Sequence, residues 1–142
     1  MTQSQENLTP MAHAAQNRCF GCGQMNPVGL HLEFFLDGEG GVVSFAKVQD
    51  TYEGPPGFVH GGILATVLDE AMSKSVRSKG IVAMTRRLET DYLRPVPSGV
   101  RLLVEGRVTR SEGRKHWVEA AIRSEDGTAL AEGKGLFIEV RR

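Results

Sequence analysis

The segment GGILATVLDEAMSKSVRSKG, residues 61–80, constrains this chain more than any other stretch. Ile63, Leu64, Val67, Leu68, Ala71, Met72 and Val76 recur at helical spacing, and Lys74, Arg77 and Lys79 precede Gly80, a natural C-cap. Apolar residues lie nearly all round it, so this helix belongs inside the molecule rather than on its surface. The rest of the ordered pattern reads as strand and turn. A single apolar helix with no second helix to pair with must bury itself against a sheet, which predicts an α+β architecture.

Leu30, Leu32, Phe34 and Leu36 alternate with polar neighbours in the period of a half-buried strand, DGEGG turns the chain, and Val42 to Val48 completes a hairpin. Gly54, Pro55, Pro56 and Gly57 make residues 49–60 a loop. After the helix, strand patterns cover 82–93, 100–110, 115–124 and 128–140. Strict alternation puts Val82, Met84, Leu88 and Tyr92 on one face of the first of these and Thr85 on the other. The expected order is β-β-α-β-β-β-β, a curved antiparallel six-stranded sheet around one long central helix. Residues 1–17, polar and aperiodic with Pro10, read as a flexible lead-in, and 18–142 as one domain.

Seventeen basic residues balance seventeen acidic ones, so no overall field would recruit nucleic acid or an anionic membrane surface. No run approaches the roughly 18 apolar residues of a membrane span, and the first residues show neither a basic leader nor an apolar core, so a cytoplasmic protein is expected. Cys19 and Cys22 are too few for a disulfide framework. A structural zinc site wants four ligands and there is no second C-x-x-C; His13, His31 or a second chain would have to complete one. The cysteines therefore read as small packing residues, with no metal and no cofactor expected.

Asp69 stands out in the middle of the apolar helix, where an ionised carboxylate is costly unless paired, hydrogen-bonded or used. Gly62, Thr66, Asp69 and Ser73, spaced four, three and four apart, form a narrow small-or-polar stripe suited to contact a substrate. Glu70 is turned about 100° away from it and reads as a structural salt link or cap. At the helix start, Gly61 and Gly62 leave backbone N–H groups bare at the positive end of the dipole, where a developing oxyanion is stabilised. Asp69 lies roughly 12 Å further along the axis at about 1.5 Å per residue, too far to act on the same carbonyl carbon. If the two ends cooperate, the acid must come from a second copy, which predicts a homodimer with two symmetric sites.

HGGILATVLDEAM, residues 60–72, resembles the signature of hotdog-fold thioesterases of the phenylacetic-acid-pathway (PaaI-like) and THEM4-like group. CFGCGQMNPVGL, residues 19–30, is similar to the segment before their first strand, and TRRLETDYLRPVPSG, residues 85–99, to their third strand and turn. The resemblance implies a hotdog fold, a dimer with continuous sheets, open to assembly into a homotetramer, and acyl-CoA thioesters as substrates. Carried over by position, Asp69 matches the catalytic acid from the neighbouring subunit and Gly61 the backbone donor to the thioester carbonyl. His60 matches the histidine that orients the loop or the thioester, and Thr85 a hydroxyl residue that helps hold the attacking water. Gly54 departs from the Asn that some relatives carry six residues before the His. Asn26-Pro27 reads first as a turn, and Asn26 is kept with Gly62, Thr66 and Ser73 as a substrate-contacting candidate. Arg94, Arg110, Arg114 and Lys115 read as surface charge that could also meet CoA phosphates. The expected function is acyl-CoA thioester hydrolysis; the alternative is a hotdog protein that binds acyl-CoA without cleaving it.

Overall fold

The computed structural model describes residues 8–141. Seven strands, β1 (Thr9–Pro10), β2 (Phe35–Leu36), β3 (Gly41–Lys47), β4 (Ala83–Tyr92), β5 (Arg101–Glu112), β6 (Lys115–Ser124) and β7 (Ala129–Glu139), form one antiparallel sheet around helix α1 (Gly61–Arg77). The seventh strand is β1, which falls inside the expected lead-in and pairs with β2; residues 1–7 of that lead-in lie outside the described residues. The expected first strand shrinks to Phe35–Leu36. Within it His31 takes a positive φ of 52°, a break that side-chain alternation does not reveal.

Helix α1 forms where its periodicity predicted because its apolar stripe has a core to enter. Val67, Leu68, Ala71, Met72 and Val76 are buried together with Phe34, Leu102, Ile122 and Phe137. Gly106 on β5 lets the helix sit down on the sheet: a Cβ there would lie 2.6 Å from Ser75 Oγ and 2.8 Å from the Ala71 carbonyl. The helix is not long and apolar enough to cross a membrane, nor is any other among the described residues.

The strand order is β1-β2-β3-β5-β6-β7-β4. The turn-joined strands β5, β6 and β7 pair as neighbours, but β4 crosses to the far edge and pairs with β7, leaving β3 beside β5. The connection after β4 carries Pro95 and Pro97 and does not close a hairpin. It packs instead on the loop before α1: the Val59 N–H donates to the Val96 carbonyl at 2.8 Å, and the Gly99 N–H to that of Val48 at 2.8 Å. β4 therefore lies at an edge, alongside the helix, with its other side unpaired.

Candidate active site

The loop into α1 is held from both ends. The Ser98 hydroxyl donates to the Glu53 carboxylate, and that bond, with one from the Gly57 backbone, holds the Glu53 carboxyl below its usual range. The His60 N–H donates to the Tyr52 carbonyl at 2.9 Å. His60 is the N-cap of α1, and its Nδ1 accepts from the Gly62 N–H at 2.9 Å, so its ring proton sits on Nε2. This narrows the sequence expectation: of the two bare glycine amides, the one at Gly62 is taken by the cap. No acceptor for the Gly61 N–H lies among the described residues. The Gly61 carbonyl accepts from the Tyr92 hydroxyl at 2.9 Å. Tyr92 was read only as a strand residue; its contact with the helix start depends on β4 lying at that edge.

Further along, Thr85 Oγ1 donates to Asp69 Oδ1 at 2.6 Å. Thr85 could not face the helix if β4 alternated strictly, and it does not: the register slips between Thr85 and Arg87. That bulge puts Thr85 opposite Phe137 and Leu88 opposite Gly135, so Thr85, Leu88 and Tyr92 share the helix side while Met84 turns outward. The face expected to hold Met84 with Leu88 is thus split by one inserted residue. Half-buried Asp69 is held above its ordinary carboxylate value of 3.8, chiefly by burial and further by the charge of Glu70, against the lowering effect of the Thr85 hydrogen bond. A carboxylate short of water and aimed by one hydroxyl is suited to act as a base or a nucleophile.

The remaining candidates divide. Thr66 and Ser73 are half-buried on the same stripe as Asp69, and Thr66 Oγ1 is bonded back to the Gly62 carbonyl at 3.0 Å. Asn26 spends its amide locally, accepting from the Val28 N–H at 3.0 Å and donating to the Arg18 carbonyl at 3.3 Å, as an Asx turn does. Glu70 makes none of the five ion pairs among the described residues; it packs instead against the cysteine loop, accepting from the Cys19 thiol at 3.4 Å. Burial, then the Glu70 carboxylate, push the Cys22 thiol up to about 12, which removes it as a nucleophile. Arg110 pairs with Glu112 and stacks over Trp117, and Arg114 donates to the Glu139 carbonyl. Arg94 and Arg101 line a cleft of about 580 Å³ beside Phe58, two residues before His60.

The Thioesterase superfamily profile matches residues 56–131, from the loop before α1 into β7. The acyl-coenzyme A thioesterase THEM4 of Xenopus laevis is 34% identical over 108 residues, which is 75% of this chain and 49% of that protein. This chain thus spans about half the length of that curated relative. A crystallised thioesterase superfamily protein is 32% identical with a TM-score of 0.78, over 82% of this chain and 60% of the other. The E. coli PaaI protein of the phenylacetic acid degradation operon, 21% identical over 79% of this chain and 81% of its own, shares the fold with a TM-score of 0.72.

Proposed function

This chain belongs to the thioesterase superfamily and has its hotdog fold, and on that premise we propose that it hydrolyses acyl-CoA thioesters at a site assembled from two copies of itself. The observation that carries the proposal is the pairing of two polar positions along one unpaired edge: Asp69 with Thr85, and Gly61 with Tyr92. Within one chain these are separated by about two turns of helix. An antiparallel meeting of two β4 edges, with the two-fold at Glu89 once the extra residue of the bulge is counted, sets Thr85 across from the partner's Tyr92. The acid of one chain then approaches the free Gly61 N–H of the other. The relative named an acyl-coenzyme A thioesterase supports the substrate class. Neither of two large clefts in the single chain is lined by Asp69, Gly61 or Thr85, which agrees with a second surface closing the site.

In the reaction, the thioester carbonyl oxygen accepts from the Gly61 N–H, whose position at the start of α1 adds the helix dipole. Asp69 attacks the carbonyl carbon or removes a proton from an attacking water; Thr85 holds the carboxylate in line. Collapse of the tetrahedral species breaks the C–S bond, and CoA leaves as its thiol, protonated by the acid formed on Asp69 or by solvent. Where Asp69 is the nucleophile, a water then cleaves the Asp69 anhydride, releasing the free acid and restoring the carboxylate. His60 maintains the loop by capping the helix. Arg94 and Arg101 supply positive charge for the phosphates of CoA. The free thiols of Cys19 and Cys22 suit a reducing compartment such as the expected cytoplasm.

Two variants test the shared site. Asp69→Asn keeps an acceptor for Thr85. Gly61→Pro removes one N–H at the first helical position, where proline is favoured, and His60, with ψ 137°, already has the conformation a following proline requires. Each alone should lower kcat at least about 100-fold on a cleaved acyl-CoA. Mixed and reassociated at random, half the dimers are heterodimers with one intact site, returning about a quarter of native activity. A mixture that stays at background would place acid and amide in the same chain and overturn the shared site. Absence of thiol release across short, long and aromatic acyl-CoAs, with CoA still raising Tm, would favour the non-hydrolytic binder.

A further inference from the structure

The Cys19-x-x-Cys22 motif is left unused by thioester chemistry. Its backbone forms a tight knuckle. The Gly23 N–H donates to the Cys19 carbonyl at 2.8 Å, the Cys19 N–H to Asn17 Oδ1 at 3.0 Å, and Asn17 Nδ2 to the Cys22 sulfur at 3.3 Å. A Cβ on Gly23 would fall 2.4 Å from the Cys19 nitrogen, so only glycine lets the turn close. Helix α1 brings Glu70 to the same place, 51 positions away from Cys19 in sequence. Gly21, between the cysteines, makes the approach possible, because a Cβ there would sit 2.6 Å from Glu70 Oε2. The ligand atoms of Cys19, Cys22 and Glu70 all lie within 4.8 Å of one another.

Glu70 is 9% exposed, and no cation makes an ion pair with it among the described residues. A thiol is a weak donor, so the Cys19 contact leaves a buried carboxylate poorly compensated. Two sulfurs and one carboxylate oxygen form a donor set for a borderline-soft divalent ion. With Zn–S about 2.3 Å and Zn–O about 2.0 Å, the S···O edge of a tetrahedral site is about 3.5 Å; Cys19 Sγ and Glu70 Oε2 are 3.4 Å apart. Lys74, four residues beyond Glu70 on the same helix face, offsets the net negative charge of such a set.

We propose that Cys19, Cys22 and Glu70 bind one Zn²⁺-class ion, with solvent as the fourth ligand at the half-buried Cys19 side, and that this ion clasps the segment before β2 to helix α1. Binding displaces the two thiol protons to solvent. The site is independent of the thioesterase reading and stands or falls without it.

The test uses tag-free, reduced, full-length protein titrated with Co²⁺ and then Zn²⁺. One equivalent of Co²⁺ per chain should produce a thiolate-to-cobalt charge-transfer band that Zn²⁺ bleaches, and Zn²⁺ should raise Tm. Cys19→Ser and Cys22→Ser should lose both effects, and Glu70→Gln should weaken binding at least about 10-fold. In the native protein, saturating Zn²⁺ should slow alkylation of both cysteines at least about 10-fold, a readout that needs no variant to fold. The site is overturned by any of three results: no charge-transfer band in the native protein, alkylation rates unchanged by Zn²⁺, or a Cys19–Cys22 disulfide persisting in protein kept under reductant.

Discussion

Edge strand β1 is two residues long and half of it is Pro10, which has no N–H to offer a neighbour; edge strand β4 runs for ten residues with one side unpaired. The contrast extends to side chains. Around β4, Val82, Met84, Tyr92 and Leu93 are exposed, Met84 by 66%. Long unpaired edges with exposed apolar residues recruit another chain, whereas short edges with proline end a sheet. The two candidate half-sites, at Thr85 and at Tyr92, also lie on β4 and not on β1. One edge terminates the fold, and the other is where we place both the partner and the chemistry.

That contrast can be tested at each edge. The largest effect belongs to Asp69→Asn, with a loss in kcat of about 100- to 1,000-fold and little change in dimer mass by light scattering; full activity would remove the β4 seam from the chemistry. Next comes the double substitution Met84→Lys with Leu93→Lys, at positions that oppose each other in the proposed two-fold. Like charges there should weaken the dimer at least about 10-fold by analytical ultracentrifugation and make activity depend on protein concentration. An unchanged dimer would move the interface elsewhere.

A smaller effect follows from the protonation of Asp69. Its value is raised above 3.8, chiefly by burial, so its contribution to stability is full below pH 3.8 and is lost as pH rises through the raised value. At neutral pH the ionised group therefore costs stability. Asp69→Asn should melt a few degrees above the native protein at about pH 7, with the gap narrowing toward about pH 4. A native protein that melts higher than the variant at neutral pH would reverse the sign. The smallest change is expected at the other edge, where Pro10→Ala should alter stability by less than about 0.5 kcal/mol in urea melts and leave activity and dimer mass alone.

Much of the candidate active-site segment was legible because its signals are local. The period of Ile63 to Val76 specifies a buried helix, the prolines and glycines before it specify a loop, and Asp69 is conspicuous as a charge in an apolar run. The N-cap and the mid-helix acid lie in one continuous stretch, so 3.6 residues per turn also sets their separation. Thr85 entered by resemblance, while alternation put it on the face opposite Met84 and Leu88; one extra residue at the bulge brought it to the same face as Leu88, and a bulge has no local signature in MTRRLE. Tyr92 and Glu70 were assigned ordinary structural roles because their partners are 31 and 51 positions away.

The amino-acid order thus carried the helix, its acid, its glycine-rich start and the five long strands β3 to β7, since each depends on interactions within a few residues. Packing chose which strand became the open edge, which face Thr85 took, and that the cysteine knuckle met Glu70. Those outcomes rest on pairings between distant segments, whose energies depend on the whole sheet being closed around the helix and not on any short run of residues.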